Sequence, residues 1–446
     1  MPKPYWNGCT GLPNNLYLPL HWGKRGDRMS RHTLFIQPLE PLMLRDGRPF
    51  GATPGAEARS LDQITPGVLA GSLRTMLGKE LHRSNVGDLQ NSPIYRSDVR
   101  GPLYMWGERL FFPMPQDVEV YERKRADGSR EVYVAGRRPC RPPEDRSKLG
   151  FLGTGTTGLH EERLWPVMTN ASAKPFRPAP AFISKEWMIR WLCEEADEEQ
   201  WTEAIQDWLN HRREPQSNRS PEKDSDHFRE PFVRETRVHT SINAEKYVAQ
   251  DQELYSTEYV TLPSDVSIVA SIDTPDDCPW PEEVNGIHSF GGRRRLAYFQ
   301  ELYDQQEIWA CPERILQVVD RHARTSETTY LRMVLTTPAY FSKGWIPGWL
   351  NEELKSADKD KFSKLFGVDL TLELVWACLP RWQPVSGWSY SARRAHRREK
   401  AVRRMAPAGS VYFLKLQMEV PRILYISSNA IGWLPSRMTT VAKTLF

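Results

Sequence analysis

Three stretches of this sequence place guanidinium groups on tight, glycine-containing turns. The first is "RDGRPF", Arg45–Phe50, in which two arginines flank an Asp-Gly pair and a proline follows. Asp46 can hydrogen-bond its own backbone in such a turn, and Pro49 fixes the exit. Arg45 and Arg48 then project from a rigid base, so less entropy is lost when they grip phosphates. The second, "SFGGRRRLAYFQ" (Ser289–Gln300), sets Gly291 and Gly292 before Arg293, Arg294 and Arg295. Adjacent glycines expose backbone N–H groups to a phosphate, and arginine adds bidentate donors. Phe290, Tyr298 and Phe299 flank this loop, and rings beside a basic loop can stack unpaired bases. The third, Gly387–Ser410, carries Arg393, Arg394, Arg397, Arg398, Lys400, Arg403 and Arg404 against a single acid, Glu399. Such a run can be a solvated helix face. Its nearly pure sign and the "PAGS" turn that closes it favour polyanion binding. Together the three suggest a groove for single-stranded nucleic acid.

Other chemistry has little support. The histidines are dispersed, and only His239 in "TRVHTS" and His288 in "GIHSFGG" sit in stretches that look functional; a lone histidine beside a strand is more often structural than a general base. No G-x-S-x-G elbow occurs, and no acidic pair has metal-ligand spacing. "GTGTTG" (Gly153–Gly158) matches G-x-G-x-x-G but lacks the preceding strand, the following helix and the P-loop lysine, so it reads as a loop and not as a cofactor cradle. No cofactor or metal is expected. The six cysteines include no C-x-x-C pair and read as reduced cytosolic thiols. No signal peptide or membrane-spanning run is legible, and Met29 is a credible alternative start.

The elements that must hold these loops can be placed from pattern. The 446 residues suggest two or three domains, with 39% apolar and 26% charged residues giving an ordinary globular balance. A net charge of +4 implies no polyanion by itself, so any such site must come from local clusters. "HTLFIQ" predicts a strand ended by Pro38. "TPGVLAGSLRTML" predicts a helix capped by Thr65, with Leu69, Leu73, Met76, Leu77 and Leu81 on one face. Gly67, Gly71, Arg74 and Gly78 share another face; their smallness would serve either close packing on a sheet or the approach of a polymer backbone. Val118–Gly136 predicts a charged hairpin about an Asp-Gly turn, a solvated finger unless a nucleic-acid partner is argued independently. A Trp-rich helical pair follows, with Trp187, Trp191, Trp201 and Trp208, and then a polar, mobile linker at Glu214–Pro231. Strands dominate beyond it, giving an α+β class with antiparallel sheets.

The motifs resemble subunit three of the Cmr-type (type III-B) CRISPR effector complex, of the RAMP superfamily. "FIQPLEPLMLRDGRPFG" and "TPGVLAGSLRTML" match its opening. "LYSTEYVTL", "FGGRRRLA", "LTTPAYFSKGWIP" with Lys343, "VSGWS" and "RRMAPAGSVYFLKL" follow in its order, from about Thr33 to about Leu416. The resemblance implies two ferredoxin-like (RRM-type) domains, a β-hairpin thumb similar in kind to 118–136, and a helical insertion. It divides the chain into an extension at 1–30, a first domain at 31–180, the insertion and linker at 181–231, and a second domain at 232–446. It implies a subunit without catalytic activity that grips the 5′ repeat-derived tag of CRISPR RNA and meets the large polymerase-like subunit and the backbone RAMP subunits. Carried over, the RNA-binding positions are Arg45, Gly47, Arg48, Gly71, Arg74, Gly291, Gly292, Arg293, Arg294, Lys343, Arg393, Arg394, Gly409 and Ser410. The alternative is a metal-independent endoribonuclease that processes repeat RNA with His239, His288 or Tyr298 in acid–base roles.

Overall fold

The computed structural model describes residues 29–48, 50, 55–82, 92–140, 164–165, 167–169, 171, 173–213, 227–243, 245–303, 306–325, 328–356, 370–389 and 398–418. Residues 1–28 of the N-terminal extension, the GTGTTG loop, Pro49, most of the linker, and Arg393 and Arg394 lie outside them. The fold is α+β and rich in strands, with sheets that are largely antiparallel.

The first strand, Met29–Pro38, lies between Val266–Pro275 and Leu296–Leu302, antiparallel to both. It is part of an eight-stranded sheet in the order Phe228–Arg229, Phe182–Ser184, Arg109–Pro113, Asp98–Trp106, Val266–Pro275, Met29–Pro38, Leu296–Leu302, Asn285–Ser289. Side chains alternate between two cores, as the period of a strand demands. Leu34, Ile36, Ile268 and Ala270 join one core, against which the helix Pro66–His82 lays Leu69, Leu73, Met76 and Leu77. Leu103, Val269 and Phe112 join the other, covered by Trp187, Trp191, Trp201 and Trp208 of the helices Lys185–Leu192 and Glu198–Arg213 and by Ile315 of the helix Glu313–Thr325. Thr65 caps the first helix as expected, its hydroxyl accepting from the Val68 amide at 3.3 Å.

A second, three-stranded sheet pairs Val411–Met418 with Thr328–Val334 on one side and Leu370–Cys378 on the other, around Phe341, Leu374, Tyr412 and Leu414. The domain boundary expected at 231/232 does not separate the sheets. Val266–Pro275 and Leu296–Leu302 lie beyond it in the chain, yet both pair with the first strand. Val266–Pro275 is buried along almost its whole length, so it fits only the middle of a covered sheet.

The charged hairpin pairs Val118–Lys124 with Arg130–Gly136. The Trp-rich pair packs directly on it: Thr202 accepts from the Val134 amide at 2.9 Å, Gln206 donates to the Val132 carbonyl at 3.0 Å, and Glu198 accepts from the Gly136 amide at 2.7 Å. The tip neutralises itself. Glu131 pairs with Arg125 at 2.7 Å and with Arg123 at 2.8 Å, and those hydrogen bonds draw its carboxyl down to about 2; Arg130 reaches Glu122 at 3.3 Å.

Contacts at Asp117 and at Gly409 join the sheets. The buried Asp117 carboxylate accepts from the Trp191 indole at 3.1 Å, from Arg138 at 2.8 Å and from Arg332 at 3.3 Å. Both guanidinium groups lie over the Trp191 ring, at 4.3 and 4.7 Å from its centroid. Gly409, at φ +82°, accepts from the Gln116 amide at 2.9 Å, and a Cβ there would collide with the Met114 carbonyl. Asp117→Ala leaves Arg332, only 8% exposed, with the Trp191 and Leu192 carbonyls but without its buried carboxylate, and removing one partner of a buried pair costs about 3–5 kcal/mol. Urea unfolding of this variant should show a loss of that size; stability within about 1 kcal/mol of wild type would show that the carboxylate does not hold the sheets together.

Candidate nucleic-acid interface

The RDGR turn forms as the residue types dictate. Asp46 Oδ1 accepts from the Arg48 amide at 3.1 Å, and Oδ2 meets the Arg48 guanidinium at 3.1 Å. Arg45 forms an isolated bridge with Ser60, and its guanidinium stands 5.5 Å from the centre of the Phe50 ring. Gly47 serves close approach here: its amide donates to the Pro384 carbonyl at 2.8 Å, and a Cβ would lie 2.8 Å from the Val385 carbonyl carbon. Pro384 belongs to a short ribbon, Gln383–Val385 with Arg403–Met405, in which it faces Arg404. The basic run from 387 thus begins and ends in strand pairs, since Trp388–Ser389 also pair with Arg398–Glu399. Residues 390–397 lie outside the described set.

The second basic loop reaches the same place. The Gly292 amide donates to the Met43 carbonyl at 2.9 Å, two residues before Arg45. A Cβ on Gly292 would stand 3.0 Å from that oxygen. The glycine admits a protein carbonyl where a phosphate was expected. Arg293 and Arg294 both adopt left-handed backbone, at φ +56° and +53°. Left-handed conformations in non-glycine residues cost of order 1 kcal/mol or more each and gather at functional sites. They turn Arg293 toward the ribbon Val233–Ile242 with Ala249–Thr261, where it reaches the hydroxyls of Tyr255 and Tyr259, each at 3.4 Å.

Tyr255 is the hub. His239 is its cross-strand partner and stacks on it at 5.2 Å. Phe50 meets it edge-on at 5.8 Å, and the Arg293 guanidinium stands 5.9 Å from its ring centre. His239 Nε2 shares a hydrogen bond of 2.8 Å with the Thr257 hydroxyl. Desolvation first, then the charges of Arg293, Arg237 and Arg295, hold its imidazole below the ordinary value.

The arginines here fall into two groups. Arg237 is paired with Glu235, and Arg295 with Glu40. Among the described residues, Arg45, Arg293 and Arg294 have no carboxylate partner. Guanidinium groups left without a carboxylate have the donors that a phosphate would accept from.

Other positions carried over lie elsewhere or have other work. Arg74 donates to the Ser97 carbonyl at 2.7 Å and covers Tyr95, and burial lowers its guanidinium below the ordinary value. Gly71 is exposed, and a Cβ on it would meet nothing within 4 Å, so close packing does not require a glycine there. Ser410 is fully buried, its hydroxyl donating to the Pro407 carbonyl at 2.6 Å; with Gly409 it closes the joint between sheets and presents no side-chain surface to a ligand. Lys343 is exposed on a turn, bridged to Ile346, with its Nζ 3.3 Å from the Leu350 carbonyl. His288 is buried near Glu80 and against Phe299, and Tyr298 bonds Asn285, so neither joins the Tyr255 cluster. Phe290 and Phe299, expected to stack bases, are wholly buried. Tyr255 and Phe50 stand beside the basic loops in their stead. Phe50 closes the first basic motif, while only the strand register, which sets Tyr255 opposite His239, picks out Tyr255.

A model of the family described as CRISPR-associated protein (Cas_Cmr3) matches residues 34–427. The chain belongs to this family. The resemblance read from the motifs therefore holds at that level, and the chain is a subunit of a type III CRISPR effector. Among curated proteins, none matches the chain. Similar solved chains come from the type III-B Cmr-beta complex bound to cognate target RNA (16% identity, TM-score 0.41, 85% of this chain and 86% of that one) and from the same complex with target RNA and AMPPnP (15%, 0.40, 85% and 86%). Another is in a Csm3-Csm4 subcomplex of a type III-A interference complex (12%, 0.33, 85% and 92%). Among the described residues of this family member, no cluster of three or more His, Cys, Asp or Glu side chains could hold a metal, and no helix is long and apolar enough to cross a membrane.

The His239 environment is directly measurable. Its NMR titration midpoint should lie below that of a free imidazole and move upward in Arg293→Ala, which removes the strongest of the neighbouring positive charges. An unchanged midpoint in that variant would place Arg293 away from Tyr255 in solution.

Proposed function

We propose that this subunit holds the 5′ repeat-derived tag of the CRISPR RNA, without catalysis, in a trough walled by Arg45, Arg48, Arg293 and Arg294, as part of a type III-B effector in antiviral defence. The observation that carries this is the gathering of carboxylate-free guanidinium groups around Phe50 and Tyr255, on loops fixed by backbone hydrogen bonds. Arginines held in place before binding lose little freedom on meeting phosphates, and sequence-specific readers of RNA target splayed single strands. The guide, by base pairing, chooses the target. The same subunit would cap one end of the complex, beside the large polymerase-like subunit and the backbone RAMP subunits, its sheets derived from two ferredoxin-like, RRM-type units.

Fluorescence anisotropy with labelled tag RNA at increasing salt tests this. Each phosphate contact on a single strand contributes about 0.7 to the slope of log affinity against log salt. The double variant Arg45→Ala with Arg293→Ala should bind at least about tenfold more weakly and lower the slope by about 1.4, the value for two lost contacts. Unchanged affinity and slope would refute the site. Discrete cleavage of repeat RNA in a chelator, abolished by His239→Ala, would refute the non-catalytic assignment.

A further inference from the structure

The short ribbon beside Gly47 carries two further pairings of a guanidinium with an aromatic ring. Arg404 lies 4.8 Å from the Trp382 ring centre, and Arg403 lies 4.6 Å from that of Tyr340. Tyr340 is brought there because Ala339 and Ala406 exchange backbone hydrogen bonds, at 2.9 and 2.8 Å. Trp382 is 44% exposed, an unusual state for so large an apolar ring. Both arginines are exposed and, among the described residues, neither has a carboxylate partner, in contrast to the self-neutralised hairpin at 118–136. The ribbon is continuous with the proposed trough. Pro384 accepts from Gly47 and faces Arg404 across the ribbon, and Gln383 reaches Asp62 at 3.4 Å, which also binds Arg234 of the Tyr255 ribbon.

We propose that this ledge, Trp382 with Arg404 and Tyr340 with Arg403, is a second nucleic-acid contact, on which unpaired RNA bases stack as the strand leaves the Arg45–Arg293 trough. The inference rests on the single-strand reading of that trough. The chemistry favours RNA: each ring offers a π-face to any base, and the adjoining guanidinium meets the phosphate that accompanies it. A protein partner would need acidic side chains matched to two adjacent arginines, and its binding is an outcome of the test.

The experiment uses the full chain and uniform single-stranded oligo(U) RNAs of increasing length. For wild type, affinity should rise with length until both trough and ledge are filled. Trp382→Ala and Tyr340→Ala should each remove the length-dependent part, a loss of about tenfold for the longer strands, and leave the shortest strands bound as before. Trp382→Phe should restore most of it. Strands bearing 5-iodouridine should photocrosslink to wild-type peptides containing Trp382 or Tyr340, a readout that needs no variant. Variants that bind every length as wild type does, with no crosslink to either peptide, overturn the ledge. If Arg45→Ala with Arg293→Ala still weakens binding in that case, the trough stands without it; if no variant affects RNA binding, both fall. Loss of partner-subunit capture by Trp382→Ala with RNA binding intact would make the ledge a protein surface and likewise overturn the proposal.

Discussion

The arrangement depends on main-chain contacts at glycine. Gly47 lies against Pro384 and Val385, and Gly292 lies against Met43, each so near that a methyl group would have to displace backbone atoms. Because backbone N–H and carbonyl groups hold the basic segments to one another, the arginine side chains are not needed to hold the loops. Arg45, Arg293 and Arg294 keep a charge that no described carboxylate answers, whereas Arg48 is met by Asp46 and Arg295 by Glu40. A fold that tied the same loops together by Arg–Glu pairs would be more self-sufficient and less able to bind an anion.

The hairpin at 118–136 shows that opposite case in the same molecule. It is dense in arginine, yet Glu122 and Glu131 answer those charges across the strands, and the helical pair covers the hairpin's backbone. Charge density alone therefore does not identify the candidate interface; the distribution of partners does. The buried Asp117 works on a third principle. It gathers Trp191, Arg138 and Arg332 from separate elements, so the Trp-rich helices, the hairpin and the three-stranded sheet share one anion. The next residue back, Gln116, donates its amide to the Gly409 carbonyl, so both joints between the sheets lie side by side.

Much of the local structure was legible in residue order. The Thr65 cap, the Leu69–Leu73–Leu77 stripe and the Asp127–Gly128 turn each express a preference that operates within a few residues, and each appears where pattern places it. The basic loops and the family were legible too, because glycine beside arginine is a short-range signature. That Gly47 meets a ribbon 337 residues further on was not, nor that Gly292 meets Met43. Aromatic residues were misread for the same reason. Phe290 and Phe299 adjoin the second loop in sequence, but strand alternation turns them into the core, while Tyr255, from another ribbon, stands at the surface beside Arg293.

Composition and short spacing are enough to place the main elements, the family and the unusual concentrations of guanidinium on turns. Tertiary structure alone decided which of those cations meet and which are already answered by a carboxylate. It also decided that Val266–Pro275 and Leu296–Leu302 complete a sheet begun by the first strand. The reason is that the deciding contacts, such as Arg295 with Glu40, Arg332 with Asp117 and the first strand with Val266–Pro275, join residues hundreds of positions apart, fixed by which buried faces must be covered, and no local preference encodes them.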